Sequence, residues 1–539
     1  MRAIDLYAGI GGWSLGLKLA GVDVVGSYEW WQPAIDTHNG NHGTELTSIN
    51  IRTMDLDSLP SDIDLVVGSP PCTQFSYSNR GGSGDLADGQ VDLERFFAIV
   101  ERLKPRFWAM ENVPRVAKYL EACFSDSESS LYKYRELKPN IGVFDFSEFG
   151  CPQARKRCVA TNIPLAQINQ FKPYCANLTL GDVTKAIGCK GRVVDPVWGV
   201  ELSQPQVTER EQEELLDDEE LRLNRESKVF HPVYNNMSFP DRLDVPARTV
   251  TATCTRVSRE SIVVASGAGY RRLTVRERAT LQGFPITYQF FGKSFSEKVK
   301  MIGNAIPPTF SYILASYALG RTGADFIPHT EAGADLCLPV KNALATKVDT
   351  AGKTYPEKRR FRAAIPHLRF KSGMRFEFAN EVGEVDTTWS MRFYSGNSKD
   401  IRTHYLDEKL GSQLEKCVEL EDVAVRATAS SNSMEELITS VDGALLQRIW
   451  TRRRQGEGPY HWVDLLGEIA NDVYDDLLAV LTEVDAERIV LELVGQRDSN
   501  GKFVNEAKLK RHAYRIIAGV IVGVWFSRKN SDKQLARAA

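Results

Sequence analysis

The 539-residue chain has nine cysteines, but no two of them are separated by only two residues. The nine are also scattered along the chain, which argues against a zinc site or a disulfide framework, so we expect no metal and reduced intracellular thiols. No apolar run is long enough to cross a bilayer, and the longest, Ile516 to Phe526, predicts a buried strand or helix. The chain enters a predicted strand at once, so we expect no signal peptide, no membrane contact and a cytoplasmic location.

The chain also lacks the positive balance of many nucleic-acid binders, since its formal net charge is −3. That total conceals an acidic run, Glu209 to Glu220, and a basic stretch, Arg248 to Arg278. The arginines of the basic stretch are Arg248, Arg256, Arg259, Arg271, Arg272, Arg276 and Arg278. A basic face opposed to an acidic surface is compatible with DNA binding, and a solvated face is the alternative.

The length of the chain predicts two or three domains. Residues 1–163 alternate between short apolar strands and helices, which predicts an α/β fold with a doubly wound, mostly parallel sheet. The alternation is lost over residues 164–246 and returns over 247–325. Residues 326–350 are a predicted linker, and residues 351–539 predict a C-terminal α+β accessory domain whose role is unknown.

One loop carries the strongest chemical signal. The apolar run Ile63–Val67 predicts a buried strand, after which Pro70 and Pro71 stiffen the chain and hold Cys72 at the strand's carboxyl end. Since ligands bind at this edge of open α/β sheets, a thiol there suits a nucleophile. A small buried cysteine that fills a gap in the core is the alternative.

Other predicted strands end in polar groups at the same edge. Glu111 follows the apolar run Phe107–Met110, and a carboxyl beside a thiol suits covalent attack assisted by an acid. A solvated or helix-capping acid is the alternative. The glycine turn Ala8–Gly12 follows the first strand and lets the backbone approach a ligand. Glu29 ends the second strand, where an acid can accept hydrogen bonds from a ribose.

The order and spacing of these motifs resemble the DNA (cytosine-5) methyltransferases over residues 1 to about 320. The matching segments are Asp5–Gly12, Glu29–Trp30, Pro70–Cys72 with Phe75–Ser76, Glu111–Val113, Gln153–Arg157, Arg272–Glu277 with Gln282–Pro285, and Ile302–Pro307. The resemblance implies a Rossmann-like methyltransferase fold and methyl transfer from S-adenosylmethionine to C5 of a flipped-out cytosine, with S-adenosylhomocysteine as product. It also implies a target-recognition region at 164–246, double-stranded DNA as partner, and a restriction-modification or defence system with cognate proteins.

The same resemblance implies roles for individual residues. Cys72 would attack C6 of the base, Glu111 would bond N3 and the exocyclic amine, Arg157 would hold O2, and Arg155 would have a supporting or backbone role. The implied cofactor residues are Tyr7, Gly9, Ile10, Gly11, Glu29, Trp30, Asn50, Ile51, Pro71 and Asn304. The implied DNA contacts are Ser76, Gln153, Arg248, Thr249 and Thr251.

The chain departs from the family pattern in two places. Thr73 stands where the family usually has glutamine directly after the nucleophile, and Asn50 stands where it usually has an acid near the adenine amine. Two other functions stay open: an RNA (tRNA) cytosine-5 methyltransferase, and a non-catalytic nucleic-acid-binding module on the same fold. The basic stretch near residues 358–375 is compatible with a DNA partner, a protein partner or a purely structural appendage.

Three local predictions concern residues 247–325, which we call the returning segment because the strand and helix alternation returns there. Leu273–Gln282 is a predicted helix capped by Thr274, with Glu277 at the capping-box position. Met301–Pro308 is a predicted tight loop before a helix, and Pro246–Ala252 has strand character.

Overall fold

A computed structural model describes the chain over ten ranges. These are residues 1–71, 86–229, 237–347, 356–370, 373–383, 387–397, 400–417, 420, 443–452 and 458–538. The described residues up to 347 form one compact unit, the N-terminal unit, and those from 356 onward form the C-terminal unit. Cys72, Thr73 and Ser76 lie outside the described residues.

The N-terminal unit is built on a six-stranded sheet with strand order β2-β1-β3-β4-β7-β5. Its strands are β1 (Arg2–Leu6), β2 (Asp23–Tyr28), β3 (Leu65–Gly68), β4 (Phe107–Asn112), β5 (Asn140–Asp145) and β7 (Lys156–Thr161), with the short β6 (Gln153–Ala154) lying outside the sheet. Strands β1 to β4 are parallel to one another, whereas β7 is antiparallel to both β4 and β5. The predicted doubly wound, mostly parallel sheet is therefore confirmed.

Helices cover this sheet and supply the rest of the core. The first four are α1 (Gly12–Ala20), α2 (Gln32–His42), α3 (Leu86–Leu103) and α4 (Arg115–Ser125). Apolar side chains of α1, including Trp13 and Leu17, share one buried cluster with Phe310. Phe96 and Phe97 of α3 share another with Trp108 of β4. The two clusters bury the strands and leave their carboxyl ends accessible.

The chain between β7 and the end of the unit is less regular. It contains α5 (Leu165–Asn169), α6 (Leu180–Gly188), β8 (Arg192–Val194), β9 (Glu201–Ser203), α7 (Asp218–Lys228), β10 (Ala247–Arg248), β11 (Val263–Ser266), β12 (Gly269–Arg272), α8 (Val275–Leu281), α9 (Phe295–Asn304), α10 (Pro308–Ala318) and α11 (His329–Ala332). Gly16 of α1 faces α10 so closely that a Cβ would come within 2.2 Å of the Ser311 hydroxyl. This contact shows that α10, near the end of the unit, packs against the first helix.

The three local predictions have different outcomes. The capping box of α8 is confirmed, because Thr274 accepts a hydrogen bond from the Glu277 N–H at 3.1 Å and the Glu277 carboxylate accepts one from the Thr274 N–H at 2.8 Å. The prediction of a loop at Met301–Pro308 is wrong for its first four residues, since α9 continues to Asn304. Of the strand predicted at Pro246–Ala252, only the two residues of β10 are in a strand, and they pair with β6.

The C-terminal unit has an antiparallel sheet with the order β13-β14-β15-β16. The strands are β13 (Arg362–Arg369), β14 (Arg375–Val382), β15 (Thr387–Asn397) and β16 (Asp400–Tyr405). Its described helices are α12 (Glu408–Leu414), α13 (Gly443–Arg452), α14 (Pro459–Val480), α15 (Glu483–Val494), α16 (Glu506–Arg511) and α17 (Ala513–Ala538). The apolar run Ile516–Phe526 forms part of α17 and lies in the core. No helix within the described ranges is both long enough and apolar enough to span a membrane.

Candidate active site

Two of the four predicted catalytic residues, Glu111 and Arg157, lie together at the carboxyl edge of the parallel strands. Glu111 is the penultimate residue of β4, and Arg157 lies near the start of β7. Because β7 runs antiparallel to β4, its beginning lies beside the carboxyl end of β4. The Arg157 Nε lies 3.1 Å from the Glu111 Oε1, and the two side chains are only 14% and 6% exposed. This nearly buried ion pair gives the edge a carboxylate and a guanidinium in contact.

The chain that leads to Cys72 is fixed to the same strand. Asn112, buried at the end of β4, donates from its side-chain amide to the Pro70 carbonyl at 3.1 Å. The Trp13 indole donates to the Ser69 hydroxyl at 3.0 Å. These contacts hold the backbone two residues before Cys72 next to Glu111. Sequence reasoning missed Asn112 as a positioning residue, although it stands directly after Glu111.

A cavity of about 320 Å³ opens beside this edge. Six of the residues that the resemblance assigned to the cofactor line it: Tyr7, Glu29, Trp30, Asn50, Ile51 and Pro71. They follow β1, β2 and β3 or lie in the connection between β2 and β3. Small-molecule sites usually occupy roughly 300–1,000 Å³. The strand ends therefore enclose a cavity large enough for a nucleoside-sized ligand.

The Glu29 carboxylate orders the glycine turn. Its Oε2 accepts a hydrogen bond from the Gly9 N–H at 2.8 Å, and its Oε1 accepts from Trp30 and Trp31 at 2.9 and 2.8 Å. The Trp30 side chain, in contrast, is 66% exposed at the rim of the cavity. Each carboxylate oxygen has two lone pairs, so Oε2 keeps the capacity to accept from a ligand hydroxyl.

Four predicted cofactor residues do not line this cavity. Gly9, Gly11 and Asn304 lie outside its walls, and so does Ile10, whose side chain is buried in the core; these four cofactor contacts stay predictions. A Cβ on Gly12 would come within 2.2 Å of the Ile306 carbonyl oxygen. The segment that carries Asn304 therefore does approach the glycine turn.

The cavity has a charged wall that sequence reasoning missed. Arg52 donates to both carboxylate oxygens of Asp92 at 2.9 and 2.7 Å and to Asp88 at 2.7 Å. The Tyr7 hydroxyl donates to the same Asp92 carboxylate at 3.2 Å, and burial raises the pKa of Tyr7. Asp88 and Asp92 are four residues apart on α3, and that spacing, which places both on one helix face, was the available signal.

Arg155 and Gln153 are buried residues that hydrogen-bond to main-chain carbonyls of the returning segment. The Arg155 guanidinium is 1% exposed and donates to the carbonyls of Val250, Gly303 and Ala305 at 3.0, 2.9 and 3.2 Å. Gln153, a predicted DNA contact, is fully buried in this structure and donates to the Leu281 carbonyl at 2.8 Å. Both residues hold the returning segment against β6 and β7.

The other predicted DNA contacts lie nearer the surface. Thr249 and Thr251 are partly buried and donate to the main-chain carbonyls of Ala154 and Thr253 at 2.9 and 2.7 Å. Arg248 is partly buried and pairs with Asp241, so its charge is already matched within the protein. Ser76 lies outside the described residues.

Most arginines of the basic stretch are buried: Arg256, Arg271, Arg272, Arg276 and Arg278 are each at most 6% exposed. Arg256 pairs with Glu213 and Glu220 at 3.2 and 2.7 Å, and Arg272 donates from Nε to Glu213 at 2.9 Å. All four of these side chains are at most 6% exposed. Arg276 is also buried, and desolvation lowers its pKa to about 10. The acidic run and the basic stretch thus neutralise each other inside the unit.

Comparison with known proteins identifies the N-terminal unit. Residues 1–318 match the family model described as C-5 cytosine-specific DNA methylase. The type II methyltransferase M.AplI of Arthrospira platensis is 30% identical over 331 residues, which are 58% of this chain and 84% of that protein. M.NgoPII of Neisseria gonorrhoeae, also a type II methyltransferase, is 25% identical over 331 residues, 59% of this chain and 94% of that protein.

Solved structures resemble a similar share of the chain. The S. pombe Dnmt2 methyltransferase is 18% identical, covers 59% of this chain and 98% of its own, and gives a TM-score of 0.41. The Entamoeba histolytica methyltransferase EhMeth is 14% identical with the same coverage and a TM-score of 0.40. Because the family model matches more than half of the sequence, the chain belongs to the C-5 cytosine-specific DNA methylases and is a DNA (cytosine-5) methyltransferase.

Proposed function

We propose that the chain transfers a methyl group from S-adenosylmethionine to C5 of a flipped-out cytosine in double-stranded DNA through a covalent bond between Cys72 and C6. The observation that carries this proposal is the contact between Glu111 and Arg157 beside the anchored Pro70. Cys72 follows Pro70 by two residues in the sequence, and the proposal assigns the attacking thiol to it.

The cavity residues fit the proposed cofactor. The exposed Trp30 indole offers an apolar face to an adenine, and the Glu29 carboxylate can accept from ribose hydroxyls. Asn50 lines the same wall, and its side-chain oxygen accepts from the Arg52 N–H at 3.0 Å, an acceptor role that an acid there would also fill. When bound, the cofactor supplies an electrophilic methyl group on a sulfonium sulfur.

The protein groups would act on the pyrimidine in a fixed order. The Cys72 thiolate forms a bond to C6, and the C5–C6 π electrons shift to make C5 nucleophilic. Glu111 bonds N3 and the exocyclic amine and so stabilises the charge that develops on the ring, while Arg157 holds O2. After C5 has gained the methyl group and lost its proton, the bond between sulfur and C6 breaks. Because C5 lies inside the duplex, the base must leave the stack first.

Trp30 gives a direct test of the cofactor cavity. Replacing Trp30 with alanine is expected to weaken binding of S-adenosylhomocysteine roughly ten- to hundredfold, because stacking on a base is worth about 1–3 kcal/mol. Isothermal titration calorimetry measures this without any turnover. Tyr174→Ala serves as the control, since Tyr174 is another surface aromatic side chain, 52% exposed, that does not line the cavity. Equal affinities in Trp30→Ala and wild type would remove Trp30 from the site.

Tritiated S-adenosylmethionine tests the substrate. Offered to unmethylated plasmid and to transfer RNA, the protein is expected to label the plasmid and leave the RNA unlabelled. Label on transfer RNA alone would favour the RNA methyltransferase instead. Cofactor binding without label on either nucleic acid would favour the non-catalytic module.

We further propose a role in a bacterial restriction-modification or defence system, alongside cognate proteins in the cytoplasm. The support is that the relatives M.AplI and M.NgoPII are named type II methyltransferases. Bisulfite sequencing of DNA from a host that expresses the chain is expected to show methylated cytosines confined to one short sequence. Methylation without any sequence preference would contradict this role.

A further inference from the structure

The glycine turn after β1 has an unusual backbone. Tyr7, Gly9 and Gly11 have φ angles of +56°, +54° and +89°, so every second residue from Tyr7 to Gly11 lies in the left-handed region. For a tyrosine this conformation is strained, and it persists only where surrounding groups hold it. The shape of the turn therefore depends on contacts from other parts of the chain.

Two side chains hold neighbouring peptide groups of this turn. Glu29, which lines the cavity, accepts a hydrogen bond from the Gly9 N–H at 2.8 Å. The Tyr288 hydroxyl donates to the carbonyl of Ile10, the next residue. Tyr288 lies in the returning segment, 278 residues further along the chain, and is only 3% exposed. A carboxylate and a phenol thus fix an N–H and a C=O that are adjacent in the turn.

The Tyr288 side chain is itself held in place. The Nε2 of His42, the last residue of α2, lies 3.0 Å from the Tyr288 hydroxyl oxygen. A Cβ on Gly11 would collide with the His42 ring, so the histidine also lies against the turn. Phe284 and Phe290 pack on the Tyr288 ring, with centroids 4.9 and 5.7 Å away. These contacts fix the ring from which the hydroxyl donates.

Burial also fixes the protons of this cluster. It raises the pKa of Tyr288 well above its usual value, so the hydroxyl keeps its proton and can donate. It lowers the pKa of His42 well below its usual value and that of His38, whose ring centroid lies 4.5 Å from that of His42, to about 3. Both imidazoles are therefore neutral at physiological pH. Since the one Tyr288 proton goes to Ile10, His42 is the donor between their two side chains.

We propose that Tyr288 is a positioning residue of the cofactor site, which holds the Ile10 carbonyl and thereby the glycine turn in the conformation that binds the cofactor. The inference rests on the proposed function, because it requires the cofactor to lie along this turn. A turn that is already in its bound shape lowers the entropy that binding costs. Loss of the hydroxyl would leave the Ile10 carbonyl without this donor and would release the turn directly after Gly9.

Tyr288→Phe tests the inference by removing one oxygen atom. Isothermal titration calorimetry of the full chain is expected to show binding of S-adenosylhomocysteine weakened roughly tenfold, about the factor that one hydrogen bond to a buried group contributes. In plasmid methylation, KM for S-adenosylmethionine is expected to rise by a similar factor. The kcat is expected to stay within about twofold of wild type, because the hydroxyl acts on binding and not on the chemical step.

Tyr312→Phe is the matched control. Tyr312 of α10 is also a fully buried tyrosine, its hydroxyl donates to the Ile327 carbonyl at 2.9 Å, and it does not line the cavity. Its replacement removes the same kind of hydrogen bond, so urea unfolding is expected to show a comparable loss of stability in the two variants. Affinity for S-adenosylhomocysteine and KM are expected to stay at wild-type values in Tyr312→Phe.

Wild-type affinity in Tyr288→Phe would overturn the inference, and so would an equal loss of affinity in the two phenylalanine variants. If Tyr288→Phe does not fold, His42→Leu takes its place: it removes the donor to the hydroxyl and is expected to weaken binding about threefold. Wild-type affinity in His42→Leu would then contradict the inference. A wild-type chain that binds no S-adenosylhomocysteine would instead overturn the proposed function. If the wild type binds it and labels plasmid but the variants do not differ, only this inference fails.

Discussion

Replacing Cys72 with alanine is expected to lower methyl transfer on the order of 10⁴-fold or more, because in the proposed mechanism its sulfur forms the covalent bond that makes C5 reactive. Transfer of tritium from S-adenosylmethionine to plasmid measures the loss. Binding of S-adenosylhomocysteine should stay close to wild type, since the cavity is lined by the strand ends and α3. Such a result would separate the chemical step from the integrity of the fold.

Cys189→Ala is the matched control for this variant. Cys189 is an exposed free cysteine of the same unit, and we expect its replacement to leave transfer unchanged. If Cys72→Ala kept full activity, the nucleophile would have to be reassigned. Loss of activity together with loss of cofactor binding would instead indicate that the alanine variant had misfolded, and Cys72→Ser would then replace it in the same assay.

The second large effect concerns stability. Glu213→Gln is expected to destabilise the N-terminal unit by about 3–5 kcal/mol, because it removes a buried carboxylate from two buried guanidiniums. The Glu213 side chain is 4% exposed, and those of its partners Arg256 and Arg272 are 6% and 0% exposed. Urea unfolding of the full chain measures the change, and hydrogen exchange in α8 shows whether the N-terminal unit is the part affected.

Glu201→Gln provides the comparison. Glu201 pairs with Arg192, but these side chains are 38% and 79% exposed, and exposed pairs contribute about 1 kcal/mol or less. The two variants make the same chemical change to a glutamate of the same unit. A Glu213 variant no less stable than the Glu201 variant would show that the buried pairing is not what holds the acidic run in place.

The strand-end residues could be predicted from sequence because a parallel sheet imposes their convergence. Tyr7, Glu29, Pro71 and Glu111 each stand where an apolar run stops, and all such ends meet at one edge. The charged wall made by Arg52 and the α3 residues could not be predicted in the same way. It depends on how α3 packs against the loop that carries Arg52, about forty residues earlier in the sequence. The alternation of strands and helices does not predict that packing.

The basic stretch shows a different limit of sequence reasoning. A run of arginines indicates an excess of charge, but the position of the compensating charge depends on the tertiary fold. Here the compensating carboxylates stand some forty to sixty residues earlier, in the acidic run, and meet Arg256 and Arg272 in the interior. The burial of Gln153 shows the same limit, because its amide hydrogen-bonds to Leu281, 128 residues further along the chain.

The central claim is that Cys72 attacks the cytosine that Glu111 and Arg157 hold. The most direct test replaces cytosine with 5-fluorocytosine in duplex DNA and adds protein and S-adenosylmethionine. Fluorine at C5 cannot leave as a proton, so the account predicts a covalent complex that survives denaturation and whose tryptic peptide carries the base on Cys72. No covalent complex on DNA that the protein otherwise methylates, or a linkage through another residue, would contradict it.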